Sequence, residues 1–368
     1  MRCSVSTSRK SSRSAAAVDL NRATLARQLL LERTKITPLA AIERLAGLQA
    51  QVPRPPFVGL WSRVPGFQPA HLAKLVHDRK AVRATMMRGT IHLVSAADYV
   101  RLRGALQPML SAGMRSILGK RVDGLDLDAL TAHARDLLPA TFDAVRKGLT
   151  AKFPDHDDRA LGYAVRMHLP LVLVPTDTRW AYPGNANFHD AEHWLGRPLA
   201  ESSAANLVLR YLAAFGPATP KDAQAWSGVR KLAEVFEALR AKLDVVRDAD
   251  GRELFDLPGA PRPSADIPAP VRFLPEYDNL LLAYADHSRV IDPVQRPKLT
   301  TKNGIVAATF LVDGRVAGTW TLERTKDTAV LSTAPFAKLP KSALAAVHAE
   351  AEELLRWHEP DAKSFTIR

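Results

Sequence analysis

Two glutamines one residue apart, Gln49 and Gln51, stand in the stretch GLQAQVPRPPFVGLW, where a helical pattern runs into Pro53, Pro55 and Pro56. Glutamine is a poor acid, a poor base and a poor metal ligand; its side chain offers one carbonyl acceptor and two N–H donors. Such a pair can orient a water or a substrate oxygen, or it can cap a helix end and face solvent. Residue chemistry alone favours the cap. The other groupings with chemical spacing are weaker. GMRSILGK (113–120) looks like a phosphate loop, but five residues separate its glycines instead of four, and Arg121 stands where Ser or Thr should be. HDAEH (189–193) sets His189, Glu192 and His193 in an inverted zinc pattern. It sits in a short helical stretch closed by Gly196, Arg197 and Pro198, so two surface histidines are expected there rather than a metal. Neither GxSxG nor HExxH occurs.

Hydrophobic residues make up 46% of the 368-residue chain and charged residues 24%, which is ordinary for a globular protein of several modules. The single cysteine, Cys3, rules out an intramolecular disulfide and any cysteine-rich metal cluster. The longest apolar run, 169–174, falls far short of the ~20 residues that span a bilayer. An intracellular chain with no metal, cofactor or membrane is the expectation. The net charge of +13 is more telling. Arg2, Arg9, Lys10 and Arg13 lie in an acid-free leader over 1–18, and removing those four cations still leaves +9. A basic folded part favours an anionic partner, most often nucleic acid. The Ser/Arg-rich leader has the composition of an organellar transit peptide, but a disordered basic tail is the preferred expectation.

The elements that must position these residues follow one rhythm, repeated three times: helix, helix, helix, then two short strands. It is clearest over 200–260. A helix over 206–215 stops at Gly216-Pro217, and Thr219-Pro220 opens the next, closed by Gly228. A third helix is predicted over 229–242, then a hairpin turning at 248–251. Three helices and a hairpin make a winged helix. The segment 121–199 repeats the pattern, with helices over 125–138, 141–153 and 157–168 and strands flanking a turn at 175–178. The segment 19–120 does so more loosely, with helices over 20–33, 38–48, 57–63, 69–78 and 99–118 and a strand pair turning at Arg88-Gly89. A proline-rich linker over 261–270 leads to a β-rich module, 271–368, with a final helix over 341–358. The fold class is therefore α+β: three tandem winged-helix units and a C-terminal β-rich module.

Four blocks in order extend the reading: LQAQVPRPPFVGLWSRV (48–64), RATMMRGTIHLVSAADY (83–99), RYLAAFGPATPKDAQAWSG (210–228) and FLPEYDNLLLAYADHSRVI (273–291). They resemble the winged-helix DNA glycosylases of the azinomycin-resistance type, the AlkZ/YcaQ-like family, over nearly the whole chain from about Leu20. The resemblance implies three winged helices forming a C-shaped basic channel for duplex DNA, a β-rich C-terminal part, and catalysis by a glutamine–apolar–glutamine motif. That motif falls here on Gln49, Ala50 and Gln51; a related branch has aspartate in place of the second glutamine, which this chain retains. An N7-alkylated purine is already cationic and leaves without a strong acid, so orientation and electrostatics are what remain for the enzyme to supply. In an extended segment, residues i and i+2 share a face, so the two amides could converge.

The expected activity is that of a monofunctional, cofactor-free, monomeric DNA glycosylase. It would act on bulky N7-alkylated purines in double-stranded DNA, interstrand crosslinks included, in the cytoplasm at the nucleoid. Antibiotic self-resistance and general repair both fit. Candidate DNA contacts are Arg54, Arg88, Arg230, Lys231, Arg289, Lys298 and Lys302, with the strands around Asn303-Gly304 as a DNA-probing hairpin. Asp278, Asn279, Asp286 and His287 are expected near the channel or supporting it, although Asp278 and Asn279 read equally as turn-formers. Two other classes stay open: a non-catalytic winged-helix regulator and a protein-interaction scaffold.

Overall fold

The computed structural model describes residues 17–248, 250–300 and 304–368. Residues 1–16 of the basic leader, Cys3 among them, Ala249 of the third segment's hairpin turn, and Thr301, Lys302 and Asn303 lie outside the described residues. Helix α1 (Ala17–Arg27) ends earlier than its apolar pattern suggests, because Leu29 adopts a left-handed φ of 57°. Helix α2 (Pro38–Arg44) also stops short of the predicted 48, since Ala46 (φ 55°) and Gly47 (φ 86°) turn the chain. That turn needs glycine. A Cβ on Gly47 would lie 2.6 Å from Cγ1 of Val94 and 3.0 Å from the Leu93 carbonyl. The chain emerges as a strand, β1 (Leu48–Gln49). Then come α3 (Pro55–Trp61), α4 (Pro69–His77), β2 (Ala81–Thr85), β3 (Ile91–Ser95) and the long α5 (Ala96–Leu118).

The second segment gives α6 (Leu127–Asp136), β4 (Ala140–Thr141), α7 (Phe142–Lys152), α8 (Asp158–His168) and β5 (Leu171–Leu173). The expected return strand just after Pro175 does not form. Trp180 instead packs edge-on to Phe57 at 5.1 Å, and Ala181 is left-handed at φ 59°. The partner of β5 is β6 (Asn187–Asp190), followed by α9 (Ala191–Leu195). A larger difference concerns how the segments meet. Arg83 and Ala84 of β2 pair with Leu173 and Val172 of β5, so the first two segments share one six-stranded sheet in the order β1-β3-β2-β5-β6-β4.

The third segment follows the prediction most closely: α10 (Ala204–Phe215), α11 (Pro220–Ser227), α12 (Leu232–Leu239), β7 (Asp244–Arg247) and β8 (Glu253–Asp256). Thr219 and Asp222 form a reciprocal capping box at the start of α11, with Pro220 at the first helical position. Helix α12 begins later than expected. Gly228 and Lys231 are both left-handed, and Oε1 of Gln224 accepts from Leu232 N at 3.0 Å, fixing the new start. Arg230 and Lys231 therefore precede the helix instead of lining it.

After irregular chain from Leu257 to Val271 come β9 (Arg272–Leu274), β10 (Thr309–Val312), β11 (Arg315–Arg324), β12 (Thr328–Pro335), α13 (Lys341–His358) and β13 (Ser364–Ile367). They form a five-stranded sheet, β13-β12-β11-β10-β9, with unforeseen β13 parallel to β12. Helix α13 reaches back to the first segment, where Trp357 packs at a tilt against Trp61 at 5.8 Å and Arg33 donates to Glu350 at 2.8 Å. One hydrophobic core runs from Ile42 through Leu161 and Tyr211 to Leu354. No helix among the described residues is long and apolar enough to cross a membrane.

The tie between α1 and the third segment is ionic. Both nitrogens of the Arg27 fork donate to Asp256, at 2.7 and 2.8 Å, with neither side chain more than 2% exposed. Removing Arg27 leaves the buried Asp256 only half-exposed Arg262, 3.5 Å away, so the cost approaches that of a stranded buried charge, about 3–5 kcal/mol. Arg27→Ala should lower the stability read from urea unfolding by that order. A loss under about 1 kcal/mol would show the pair to be incidental.

Candidate active site

Gln49 lies in β1, opposite His92 of β3, and is only 6% exposed. The strand pairing continues through Ala50, whose N–H donates to the Ile91 carbonyl at 2.8 Å. Gln49 is thus a strand residue and not a helix cap, because the turn at Ala46 and Gly47 has already redirected the chain. Its Oε1 accepts from Nη2 of Arg88 at 2.7 Å. Gln51, exposed at the strand's end, accepts on Oε1 from the backbone N–H of Ile91 at 3.3 Å. Both partners can only donate, so the orientation of each amide is determined. Among the described residues, neither glutamine's NH2 group has a hydrogen-bond partner, and each carbonyl keeps one lone pair.

The frame around the motif is made of buried polar groups. Arg83 donates from Nε to the Ala50 carbonyl (2.8 Å) and from Nη2 to the Gln51 carbonyl (3.0 Å), holding the backbone between the glutamines. Asn279 donates to the Gly47 carbonyl at 2.5 Å, just before β1. Asp278 accepts from Leu280 N and pairs with buried Arg63 at 2.9 Å. Asp278 is therefore both a turn-former and a support, and Asn279 supports the motif directly. Arg54 is engaged by Glu276.

Arg88 is the hub. Held at φ 56°, it donates to the Trp226 carbonyl of α11 as well as to Gln49, and Nη2 approaches Nε2 of His92 at 3.4 Å. Since arginine only donates, that His92 nitrogen accepts, and Nδ1 carries the proton toward the Thr90 carbonyl at 3.1 Å. Burial, with the Arg88 charge beside it, lowers the His92 pKa from 6.5 to about 3, so the ring is neutral. Burial likewise lowers Arg83 and Arg88 to about 10 and depresses Arg166. Gln49, Gln51, Arg88, Arg166 and Tyr277 line a cavity of about 290 Å³ that no carboxylate borders among the described residues. Gly304 and Val306 form part of its lining.

The other expected residues divide. Arg289 stands apart from the glutamines: it is 8% exposed, donates to the Pro217 carbonyl at 3.0 Å, lies 4.0 Å over the Tyr284 ring and borders a different cavity. Arg230, Lys231 and Lys298 are exposed, the last 5.3 Å over Phe336. Asp286 lies near Arg252 (3.5 Å) on a separate cavity of about 640 Å³. Buried His287 borders a third cavity, of about 230 Å³, together with Arg88. His189 and His193 stack at 5.1 Å, and Glu192 accepts from Leu199 N, an arrangement that serves the loop after α9. Arg83, His92 and Arg166 were not singled out by the sequence. The alternation of VRAT and IHLVS was the available signal, since it placed Arg83 and His92 on paired strands.

A model of the AlkZ-like DNA glycosylases matches residues 42–357. The chain belongs to the AlkZ-like DNA glycosylase family. An interstrand DNA cross-link repair glycosylase from Streptomyces sahachiroi is 25% identical over 352 residues, covering 90% of this chain and 93% of that protein. The solved structure of the Streptomyces sahachiroi DNA glycosylase AlkZ superposes with a TM-score of 0.77 at 22% identity, covering 97% of this chain and all of that one. The mixed helix-and-sheet architecture is thus that of AlkZ, and the reaction class is that of a DNA glycosylase.

The neutral His92 couples the site to pH. Below 6.5 the unfolded chain takes up a proton on this ring that the folded chain refuses until about pH 3. Its contribution to stability is complete above 6.5 and declines as pH falls through that window. Urea midpoints should drop steeply between pH 6.5 and 4, and His92→Gln should flatten the drop. An unchanged pH slope in the variant would contradict this protonation state.

Proposed function

We propose that this glycosylase hydrolyses the N-glycosidic bond of bulky N7-alkylated purines in duplex DNA, interstrand crosslinks included, with Gln49 and Gln51 as catalytic residues. The supporting observation is the fixed orientation of the two amides: each oxygen is held by a protein donor, and each NH2 is left for the substrate. The name of the Streptomyces relative supports the crosslink substrate. The segments 19–120, 121–199 and 200–260 act as winged-helix units on DNA, with exposed Arg230, Lys231 and Lys298 as phosphate contacts. The segment around Asn303-Gly304, which lies partly outside the described residues, is the part assigned to probing the lesion. The enzyme works as a monomer at the nucleoid.

The mechanism follows from the leaving group. The C1′–N9 bond breaks, and its electron pair neutralises the purinium, which departs as the neutral alkylated base. Water adds to C1′ of the oxocarbenium-like sugar and releases a proton to solvent. No strong base is needed against such an electrophile; what helps is a water held at the right place. The free lone pair of the Gln51 oxygen accepts from that water, while the Gln49 NH2 donates to a DNA oxygen. Losing one preorganised contact of this kind typically costs about 10²-fold in rate.

Single-turnover base release from a duplex carrying one N7-alkylguanine tests the assignment. Gln49→Ala/Gln51→Ala should fall by about 10²-fold or more with the salt dependence of binding unchanged. Equal rates for variant and wild type would remove the glutamines from catalysis. Tight binding without any base release by wild type would favour a non-catalytic DNA binder.

A further inference from the structure

The electrostatics around the motif are one-sided. Arg83, Arg88 and Arg166 surround it, and among the described residues none of the three is paired with a carboxylate. Arg83 and Arg88 have carbonyl or amide oxygens as partners, and Arg166 donates to the Thr85 hydroxyl at 3.3 Å. Elsewhere several arginines are neutralised, Arg27 by Asp256, Arg63 by Asp278 and half-buried Arg210 by Asp98, while Arg103 and Arg289 lie buried singly against uncharged partners; around the motif three such guanidiniums gather at one place. Uncompensated buried cations are costly, and a site that tolerates them gains when an anion arrives. The cavity next to it shares Arg88, Leu282 and Val306, adds Arg296, and among the described residues is again bordered by no carboxylate.

We infer that the cavity bounded by Gln49, Gln51, Arg88 and Arg166 is an oxyanion subsite that receives a DNA backbone phosphate beside the lesion. This rests on the DNA glycosylase reading above and adds the chemical class of what fills the cavity. The geometry suits a phosphate in three ways. Two guanidiniums supply charge-assisted donors, the amide NH2 groups of Gln49 and Gln51 supply neutral ones, and the buried floor keeps the interaction weakly screened. A cationic alkylpurine placed in the same cavity would meet two like charges and no carboxylate. The lesion base therefore lies outside it, and the phosphate bound within holds the adjacent sugar against the glutamines. The bound anion has a second effect, since its negative charge beside C1′ stabilises the oxocarbenium-like sugar as positive charge develops there.

The test replaces single phosphates with uncharged methylphosphonates, one position at a time on both sides of an N7-alkylguanine. Binding and single-turnover base release are measured for wild type, Arg166→Gln and Arg166→Lys. Arg166 is chosen because its one side-chain hydrogen bond is to a threonine, so it is less embedded than Arg88. In wild type, one or two positions should show about tenfold or greater loss of base release on neutralisation. Arg166→Gln should be slowed on the all-phosphate duplex and lose that position-specific sensitivity, with its slope of log affinity against log salt reduced by about 1. Arg166→Lys, which keeps the charge, should retain the sensitivity. Wild type that is indifferent to neutralisation at every position overturns the subsite, as does an Arg166→Gln variant as sensitive as wild type. If wild type releases no base from any duplex, the glycosylase reading fails, while the same scan read as binding still decides the subsite.

Discussion

The guanidinium of Arg88 is where three separately predicted parts of the chain become one site. It takes Gln49 of β1 on one nitrogen, the Trp226 carbonyl of α11 on the other, and lies against His92 of β3. Gly228, at the end of α11, packs close to the same point, since a Cβ there would sit 3.2 Å from the Arg88 Cα. The first and third segments thus meet backbone to backbone around one buried cation. Its left-handed φ is a local cost of order 1–3 kcal/mol that the surrounding contacts offset. Strain of that kind persists only where neighbours over-determine it, and here the neighbours are the motif itself.

The second constraint is rigidity. A glutamine side chain has three rotatable bonds, and an amide that wanders positions nothing. Gln49 is fixed by its bond to Arg88, and the carbonyls of Ala50 and Gln51 by the Arg83 fork. Asn279 pins the Gly47 carbonyl that leads into the strand. The block FLPEYDN, distant in sequence, therefore serves the motif by gripping its backbone, and Asp278 anchors that block through Arg63. The Pro55-Pro56 pair performs the same task on the other side, since both residues open α3 and fix where the chain leaves the motif.

Local signals were legible and non-local ones were not. The third segment could be read nearly element by element, because Gly216-Pro217, Thr219-Pro220 and Gly228 punctuate it and each acts within a few residues. The end of α2 could not, because left-handed Ala46 has no side-chain signature, and the glutamines consequently resembled caps. The joining of β2 to β5 depends on pairing across some ninety residues, and β13 on a parallel contact with β12. β5 is legible as a strand but its pairing with β2 is not, and β13, four residues long, carries too little pattern to announce itself. Arg289 resembled a surface cation because its partners, Thr24, the Pro217 carbonyl and the Tyr284 ring, are brought together only in the fold. The glutamine pair itself was legible as a site through resemblance, while the arginines that hold it became visible only with the strands in register.

The choice of glutamine at position 49 follows from the same cation. A glutamate there would accept the Arg88 hydrogen bond equally well in geometry, and as an ion pair in a buried site it would relieve the desolvation that now lowers the arginine's pKa. It would also cancel the charge that faces the cavity. An amide holds the guanidinium in place while leaving its positive field intact, so the residue that looks chemically weakest is the one compatible with an anion-seeking pocket. The neutral His92 on the other side of Arg88 serves alike: it accepts a hydrogen bond without adding or removing charge. Neutral acceptors around an uncompensated cation are therefore a single arrangement, in which the protein orients the charge and leaves its neutralisation to whatever enters the site.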